Sequence, residues 1–106
     1  MMTTIREYLD ERGDSPFAQW FEGLDATVAA KVAASLYRME QGNFSRVKGV
    51  GGGIFECKID FGPGYRIYFV RRGPVVHLLT GGDKGSQARD IDEAKAMARE
   101  LREEER

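Results

Sequence analysis

The chain has 106 residues and a net charge of −1, with 42% hydrophobic and 31% charged residues. This length corresponds to one domain over residues 1–106, with a single hydrophobic core that needs no covalent staple. The lone Cys57 excludes an internal disulfide and a cysteine-rich zinc site, which favours a reducing, cytoplasmic location. No apolar run approaches the ~20 residues of a membrane span, so we expect no membrane partner.

Positive charge is concentrated in the middle of the chain. Residues 44–84 hold 7 basic and 3 acidic side chains, whereas residues 1–43 hold 4 and 7, and residues 85–106 hold 5 and 7. A local basic surface of this kind indicates an anion-binding site rather than a protein that coats nucleic acid non-specifically. The same counts also fit an ordinary solvated surface, so charge alone does not separate the two interpretations.

The first half of the chain predicts one strand followed by two helices. Residues 3–9 alternate as a strand does, with Ile5 inward. Ser15-Pro16 starts a helix, because serine caps helix N-termini and proline fits the first helical position. A second helix is predicted over residues 26–41, with Asp25 as its cap. Both helices carry an apolar stripe, formed by Phe17, Trp20, Phe21 and Leu24 in the first and by Val28, Val32, Leu36 and Met39 in the second.

The second half predicts a three-strand meander and a last helix. Strands are expected over residues 54–60, 65–70 and 74–80, because these β-branched and aromatic runs are bounded by glycine and proline. Residues 43–53 carry four glycines and are predicted as a loop. They precede a strand and lack the Gly-Lys-Ser/Thr ending of a phosphate-binding loop. The last helix is expected to be capped by Ser86 or Asp90, with residues 90–93 spaced as a capping box. Its narrow apolar stripe is predicted to consist of Ile91, Ala94, Ala98 and Leu101.

The meander is predicted to have one apolar and one polar face. Side chains alternate across a strand, so Cys57 and Ile59 share one face of the first strand and Ile67 and Phe69 share one face of the second. The opposite face is then expected to carry mainly polar side chains. These are Glu56, Lys58, Asp60, Arg66 and Tyr68.

Several segments together resemble a known toxin family. They are Gly64-Tyr-Arg-Ile-Tyr-Phe69, Leu78-Leu-Thr-Gly-Gly-Asp-Lys-Gly-Ser-Gln87 and Asp90-Ile-Asp-Glu-Ala94. With the Ser15-Pro16-Phe17 helix start and the hairpin before Arg66, they resemble the RelE/ParE-type toxins of bacterial toxin–antitoxin modules. The similarity is to the phage-derived "addiction module killer" branch, related to HigB. It covers nearly the whole chain, and the combined motif is specific to that branch.

The resemblance implies both a fold and an activity. The fold is α+β in the order β-α-α-β-β-β-α, with a helical hairpin packed on one face of a small, mostly antiparallel sheet and the activity on the open face. RelE-type members are metal-independent endoribonucleases, without a cofactor, that cut mRNA in the ribosomal A site. Each is neutralised by a cognate antitoxin, commonly a helix-turn-helix protein. The expected partners are therefore an antitoxin, the ribosome and mRNA.

The resemblance also implies roles for individual residues. Metal-free RNA cleavage needs a base for the 2′-hydroxyl, cations for the phosphorane and an acid for the leaving oxygen. Arg66 matches the family's functional arginine and is expected to stabilise the transition state, because its planar fork suits a phosphate. Lys58 is expected to hold phosphate or act as a base, and Lys84 to contact the substrate backbone or act as an acid. Further substrate contacts are expected from Lys48, Arg46 and Tyr68, with Tyr68 stacking on a base.

Each of these interpretations has an alternative. Arg66 can pair with Glu56 or Asp60 across the strands, and Tyr68 can be a packing residue. His77, the single histidine, fits a core or edge position better than a general base. At the level of function, ParE-type members keep the fold but poison DNA gyrase. A non-nuclease inhibitor of such a protein target and an inactive, phage-derived antitoxin-binding protein are therefore the alternatives to an mRNA endonuclease.

Overall fold

The computed structural model describes residues 2–104, with side chains for residues 2–102. Its five strands form one sheet in the order β1-β5-β4-β3-β2, in which β1 is parallel to β5 and all other neighbours are antiparallel. The predicted α+β fold with a mostly antiparallel sheet is confirmed. The elements are β1 (Thr4–Glu7), α1 (Pro16–Glu22), α2 (Ala26–Glu40), β2 (Val47–Gly51), β3 (Ile54–Ile59), β4 (Tyr65–Arg72), β5 (Val75–Asp83), a 3-10 turn (Lys84–Ser86) and α3 (Gln87–Glu104).

Both helices of the hairpin begin at side-chain caps. The Ser15 hydroxyl accepts a hydrogen bond from the Ala18 N–H at 3.0 Å, as predicted, and Pro16 occupies the first helical position. The Asp25 carboxylate accepts hydrogen bonds from the N–H groups of Thr27 and Val28 at the start of α2. These bonds satisfy backbone donors that the first helical turn leaves unpaired. The caps therefore fix where the two helices begin.

The helical hairpin covers one face of the sheet. The predicted stripes of α1 and α2 pack there against alternate residues of β3, β4 and β5, which confirms the helix packing inferred from periodicity. Cys57 lies in this core as a buried free thiol, and burial raises its pKa. The cluster contains Phe17, Val28, Val32, Met39, Cys57, Ile59, Ile67, Phe69, Val76 and Leu78, with Trp20, Phe21, Leu24 and Leu36 partly buried beside it.

The loop predicted over residues 43–53 is wrong in part, because it contains an edge strand. Residues 47–51 pair with β3 as β2, with a register shift between Gly49 and Gly51. The turn that follows has glycine at three successive positions with positive φ, Gly51, Gly52 and Gly53. Glycine adopts this backbone conformation without the penalty that other residues incur. The glycines therefore form a tight hairpin turn and one bulged edge strand rather than a flexible loop.

The opposite face of the sheet is covered over much of its area by α3. Ala94, Ala98 and Leu101 of this helix pack on Tyr68 and other residues of a second buried cluster. The predicted stripe of the last helix is therefore confirmed. Of the two predicted caps, Ser86 directly precedes the helix, which begins at Gln87. The predicted capping box starting at Asp90 is wrong, because Asp90 lies in the first turn. None of the described helices is long and apolar enough to cross a membrane.

Two adjacent glycines allow helices to approach β5 from both sides. A side chain at Gly81 would overlap the ring of Trp20 on α1. A side chain at Gly82 would overlap the Asp90 carboxylate and the Ser86 hydroxyl on the α3 side. Ser86 donates a hydrogen bond to Asp90 in this space. The Gly-Gly pair therefore lets the start of α3 lie close to β5, next to the cross-strand pair of Gly82 with Arg66.

Candidate functional site

The basic residues predicted for the site lie on the part of the sheet face that α3 leaves open. Lys58 of β3 is the direct cross-strand neighbour of Arg66 of β4. Glu56 of β3 lies between Lys48 of β2 and Tyr68 of β4 in the same register. Directly paired residues project to the same side of a sheet. The strand pairing therefore brings basic and acidic side chains together on one face, as alternation predicted.

Arg66 and Glu56 form a buried ion pair on this face, beside the start of α3. Arg66 is 7% exposed and Glu56 is 1% exposed, and the Arg66 Nε lies 3.2 Å from Glu56 Oε1. Gln87 at the start of α3 donates a hydrogen bond to the same carboxylate oxygen at 2.8 Å. Lys48 approaches the second oxygen, Oε2, at 3.8 Å. The alternative in which Arg66 pairs with Glu56 is therefore present in the structure.

This buried pair has unused hydrogen-bonding capacity. Among the described residues, four buried side-chain polar atoms have no hydrogen-bond partner, and all belong to three neighbouring residues. Buried polar groups are nearly always satisfied, so such a group calls for a ligand or a bound water. The concentration of these atoms next to two surface clefts marks this part of the face as a candidate binding site. The atoms are Glu56 Oε2, Arg66 Nη1, the Tyr68 hydroxyl and Arg66 Nε, whose contact with Glu56 Oε1 is an ion pair without hydrogen-bond geometry.

The first cleft joins all three residues predicted to be catalytic. It has a volume of about 320 Å³ and is called here the hairpin cleft. Lys58 comes from β3, Arg66 from β4 and Lys84 from the turn after β5. The Lys84 N–H donates to the Gly64 carbonyl at 3.0 Å, which ties this turn to the β3–β4 loop. The complete lining is Lys58, Asp60, Phe61, Gly62, Pro63, Gly64, Arg66 and Lys84.

The second cleft contains the predicted substrate contacts of the β2 edge. It has a volume of about 290 Å³, is called here the edge cleft, and is lined by Ser45, Arg46, Val47, Lys48, Glu56, Lys58 and Asp60. Asp60 Oδ2 lies 3.2 Å from Arg46 Nη1, and its Oδ1 lies 3.3 Å from Lys58 Nζ. The hydrogen bond and charge of Lys58, followed by those of Arg46, lower the Asp60 pKa. Lys58 and Asp60 line both clefts.

The predicted stacking of Tyr68 on a nucleobase is contradicted by the burial of its side chain. The side chain is 0% exposed and packs under α3 in the second core cluster. Burial raises the pKa of its hydroxyl, and the negative charges of Glu56 and Asp90 raise it further. Tyr68 lies on the predicted face, but α3 covers this part of it. Its ring is therefore a packing residue that cannot stack on a nucleotide in this conformation.

The environments of His77 and Lys58 do not suit a general base. His77 lies on β5 beside Arg6 of β1, on the far side of the sheet order from Lys58, so it lines neither cleft. Lys58 is 51% exposed and ion-paired, so it lacks the burial that a lysine needs to act as a base. No group of three or more His, Cys, Asp or Glu side chains in the described part of the chain could hold a metal ion.

Comparison with known proteins gives a relative but no activity. A protein of Haemophilus influenzae, described as uncharacterized, is 45% identical over 87 residues, which cover 80% of this chain and 88% of that protein. This chain belongs to the same family as that protein. No model of a known protein family matches the sequence. The family relationship carries no substrate or partner, so functional inference rests on the clefts and their residues.

Sequence reasoning missed the role of Gln87. Its amide orients the Glu56 carboxylate, although it follows β5 by a turn and is distant from Glu56 along the chain. Alternation did place Glu56 on the correct face, and Gln87 ends the second segment that carries the toxin resemblance. Neither signal indicated that the two side chains meet. The resulting site combines a shielded arginine, a buried carboxylate and exposed lysines, which together suit an anionic ligand.

Proposed function

We propose that this protein is the toxin of a type II toxin–antitoxin module of the RelE/ParE type, and that it is a metal-independent, ribosome-dependent mRNA endonuclease. The observation that carries the proposal is the hairpin cleft, where Lys58, Arg66 and Lys84 converge from three separate elements. Three cations around one small cleft match the charge of a phosphodiester undergoing cleavage, which becomes more negative in the transition state. The resemblance of the sequence supplies the reaction class.

The clefts provide groups for each step of RNA cleavage. The buried Glu56 carboxylate takes the proton of the 2′-hydroxyl through a water in the edge cleft, and the 2′-oxygen then forms a bond to phosphorus. Arg66 and Lys58 stabilise the negative phosphorane. The bond from phosphorus to the 5′-oxygen breaks, and the Lys84 ammonium donates a proton to that leaving oxygen. The products are a 2′,3′-cyclic phosphate and a free 5′-hydroxyl.

Glu56 is the residue assigned here as base because of its environment. It lines the edge cleft, and among the described residues its Oε2 accepts no hydrogen bond and faces only the exposed Lys48 ammonium, at 3.8 Å. Its other oxygen is held by Gln87 and faces Arg66. A carboxylate held in place by one oxygen leaves the other available to accept a proton. This geometry favours Glu56 over Lys58 as the base.

One observation favours a second candidate, an inhibitor that binds a protein target such as DNA gyrase. Arg66 is 7% exposed and already paired with Glu56, so part of its charge is neutralised before any ligand binds. In that case the pair is structural, and the exposed cations Lys58, Lys84, Lys48 and Arg46 form a recognition surface. The partners of the leading proposal are a cognate antitoxin, the ribosome and mRNA.

Induced expression in a host lacking the antitoxin separates these candidates. We compare the wild type with Lys84→Ala, and use Arg99→Ala on the exposed side of α3 as the control, because it also removes one positive charge. Growth is followed and transcript 5′ ends are mapped. The nuclease proposal predicts growth arrest with new cuts in translated messages for the wild type and the control, and a loss of cuts for Lys84→Ala. Arrest without cuts, accompanied by inhibited supercoiling, would instead support the gyrase-type inhibitor.

A further inference from the structure

A third cleft extends the basic surface from the sheet onto α2. It has a volume of about 230 Å³ and is called here the helix cleft. Lys31 and Arg38 of α2 line it together with Arg46, Lys58 and Asp60. Lys31 and Arg38 are seven residues apart, which places them on the same side of the helix two turns from each other. Both side chains are exposed, and the toxin motifs include neither of them.

The three clefts adjoin one another. Lys58 and Asp60 line all three, and Arg46 lines both the edge cleft and the helix cleft. A further contact links the hairpin and helix clefts, because Lys31 Nζ lies 5.3 Å from the ring centroid of Phe61, which lines the hairpin cleft. The basic side chains therefore form a continuous surface around the exposed Asp60, with the buried Glu56 beneath the edge cleft.

We propose that the helix cleft is a second phosphate subsite for single-stranded RNA. The RNA runs from the hairpin cleft, past residue 60, to α2. There Lys31 and Arg38 contact the phosphate next to the one that lies in the hairpin cleft. This inference takes its ligand from the proposed function. It differs from that function in assigning binding, and not cleavage, to residues outside the hairpin cleft.

The Asp60 carboxylate occupies the two cations that the RNA phosphates would bind, and the RNA displaces it from them. In the free protein its two oxygens engage Arg46 and Lys58, whose side chains are 54% and 51% exposed. Exposed ion pairs of this kind contribute little to stability, so a phosphate can take over both cations at small cost. The carboxylate remains charged and repels the incoming phosphates. Asp60 therefore weakens RNA binding, although it keeps the two cations in place.

The subsite is tested with a fluorescent, single-stranded RNA that carries 2′-O-methyl groups and cannot be cleaved. Affinity is measured by anisotropy between 50 and 300 mM salt. For single-stranded nucleic acid, the logarithm of the binding constant falls with the logarithm of the salt concentration, with a slope of about 0.7 per neutralised phosphate. We expect Lys31→Ala/Arg38→Ala to weaken binding by about tenfold at low salt and to reduce this slope by about 0.7, the value for one phosphate. Asp60→Asn is expected to tighten binding about two- to fivefold, as for removal of one like charge near the surface.

The matched control is Arg99→Ala/Arg102→Ala on α3. It removes the same number of positive charges from exposed helical positions, and neither residue lines the three clefts. Equal losses for the two double variants would overturn the subsite, because the effect would then be one of net charge. Unchanged or weaker binding by Asp60→Asn would overturn the role of Asp60. Because the RNA cannot be cut, this assay measures binding independently of cleavage. Specific binding here, together with no cleavage of messages in the expression experiment, would refute the nuclease proposal and leave the subsite intact.

Discussion

Replacement of Arg66 by alanine is expected to destabilise the protein strongly, because it leaves Glu56 as a buried charge. The Arg66 Nε lies 3.2 Å from Glu56 Oε1, and Glu56 is 1% exposed. Breaking such a pair by removing one partner costs about 3–5 kcal/mol. Gln87 and Lys48 still contact the carboxylate, at 2.8 Å and 3.8 Å. We therefore expect a loss near the lower limit, about 3 kcal/mol.

Thermal and urea unfolding measure this loss directly. A loss of about 3 kcal/mol corresponds to a fall in Tm of about 12–24 °C for a domain of this size. The double variant Arg66→Ala/Glu56→Gln removes the uncompensated charge and should recover at least about 1.5 kcal/mol. Arg71→Ala is the control on the same strand. Its exposed guanidinium lies 4.1 Å from the Phe44 ring centroid, and its removal should cost no more than about 1 kcal/mol.

Two results would refute this reasoning. A loss below about 1 kcal/mol for Arg66→Ala would mean that Glu56 is solvated or compensated without the arginine. A double variant no more stable than Arg66→Ala would mean that the loss comes from packing and not from the buried charge. The same experiment decides how activity data are read. If Arg66→Ala is this unstable, its loss of toxicity alone does not establish a catalytic role.

Three further predictions concern the fold and its pH dependence. Gly81→Ala should destabilise by about 1–3 kcal/mol in urea unfolding, because its methyl group would overlap Trp20, whereas Gly49→Ala on the edge strand meets no neighbour and should change stability by less than about 0.5 kcal/mol. The raised pKa of Tyr68 predicts that stability is lost as pH rises above about 10, and Tyr68→Phe should reduce this loss. The His77 pKa is lowered by burial and then by the charges of Arg72 and Arg6, so stability should fall as pH drops below about 6.5. A His77→Gln variant that keeps the full decline between pH 7 and pH 5 would contradict that assignment.

Local signals predicted most of the elements. The Ser15 and Asp25 caps and the apolar stripes of α1 and α2 depend on residues close together in the chain, so sequence reveals them directly. Strand β2 was missed because glycines in a sequence usually indicate a turn. As an edge strand, β2 pairs with β3 alone, and such a position tolerates glycine. Ser86 and Asp90 were both predicted as the cap of α3, and the helix begins directly after Ser86. Asp90 has capping spacing, but it is buried against Gly82 and bonded to Ser86.

The sequence predicted which face of the sheet carries the site residues, but it did not predict which of them are buried. Alternation correctly placed Lys58, Arg66 and Tyr68 on the same face of the sheet. It could not show that α3 covers Tyr68, because that contact joins residues far apart in the chain. For the same reason, sequence could not show that Gln87 holds Glu56, or that Lys31 borders the same cleft system as Lys58. Such contacts follow only from how α2 and α3 are placed on the sheet.

Cleavage of ribosome-bound mRNA by the purified protein tests the central proposal most directly. The measurement compares single-turnover rates and cut positions for the wild type, Lys84→Ala and Arg99→Ala. The account predicts cuts by the wild type and Arg99→Ala at equal rates, and a loss of about 10²–10³-fold for folded Lys84→Ala. Cleavage by Lys84→Ala at the wild-type rate would contradict the role of the hairpin cleft. An absence of cleavage by folded wild-type protein would contradict the nuclease proposal itself.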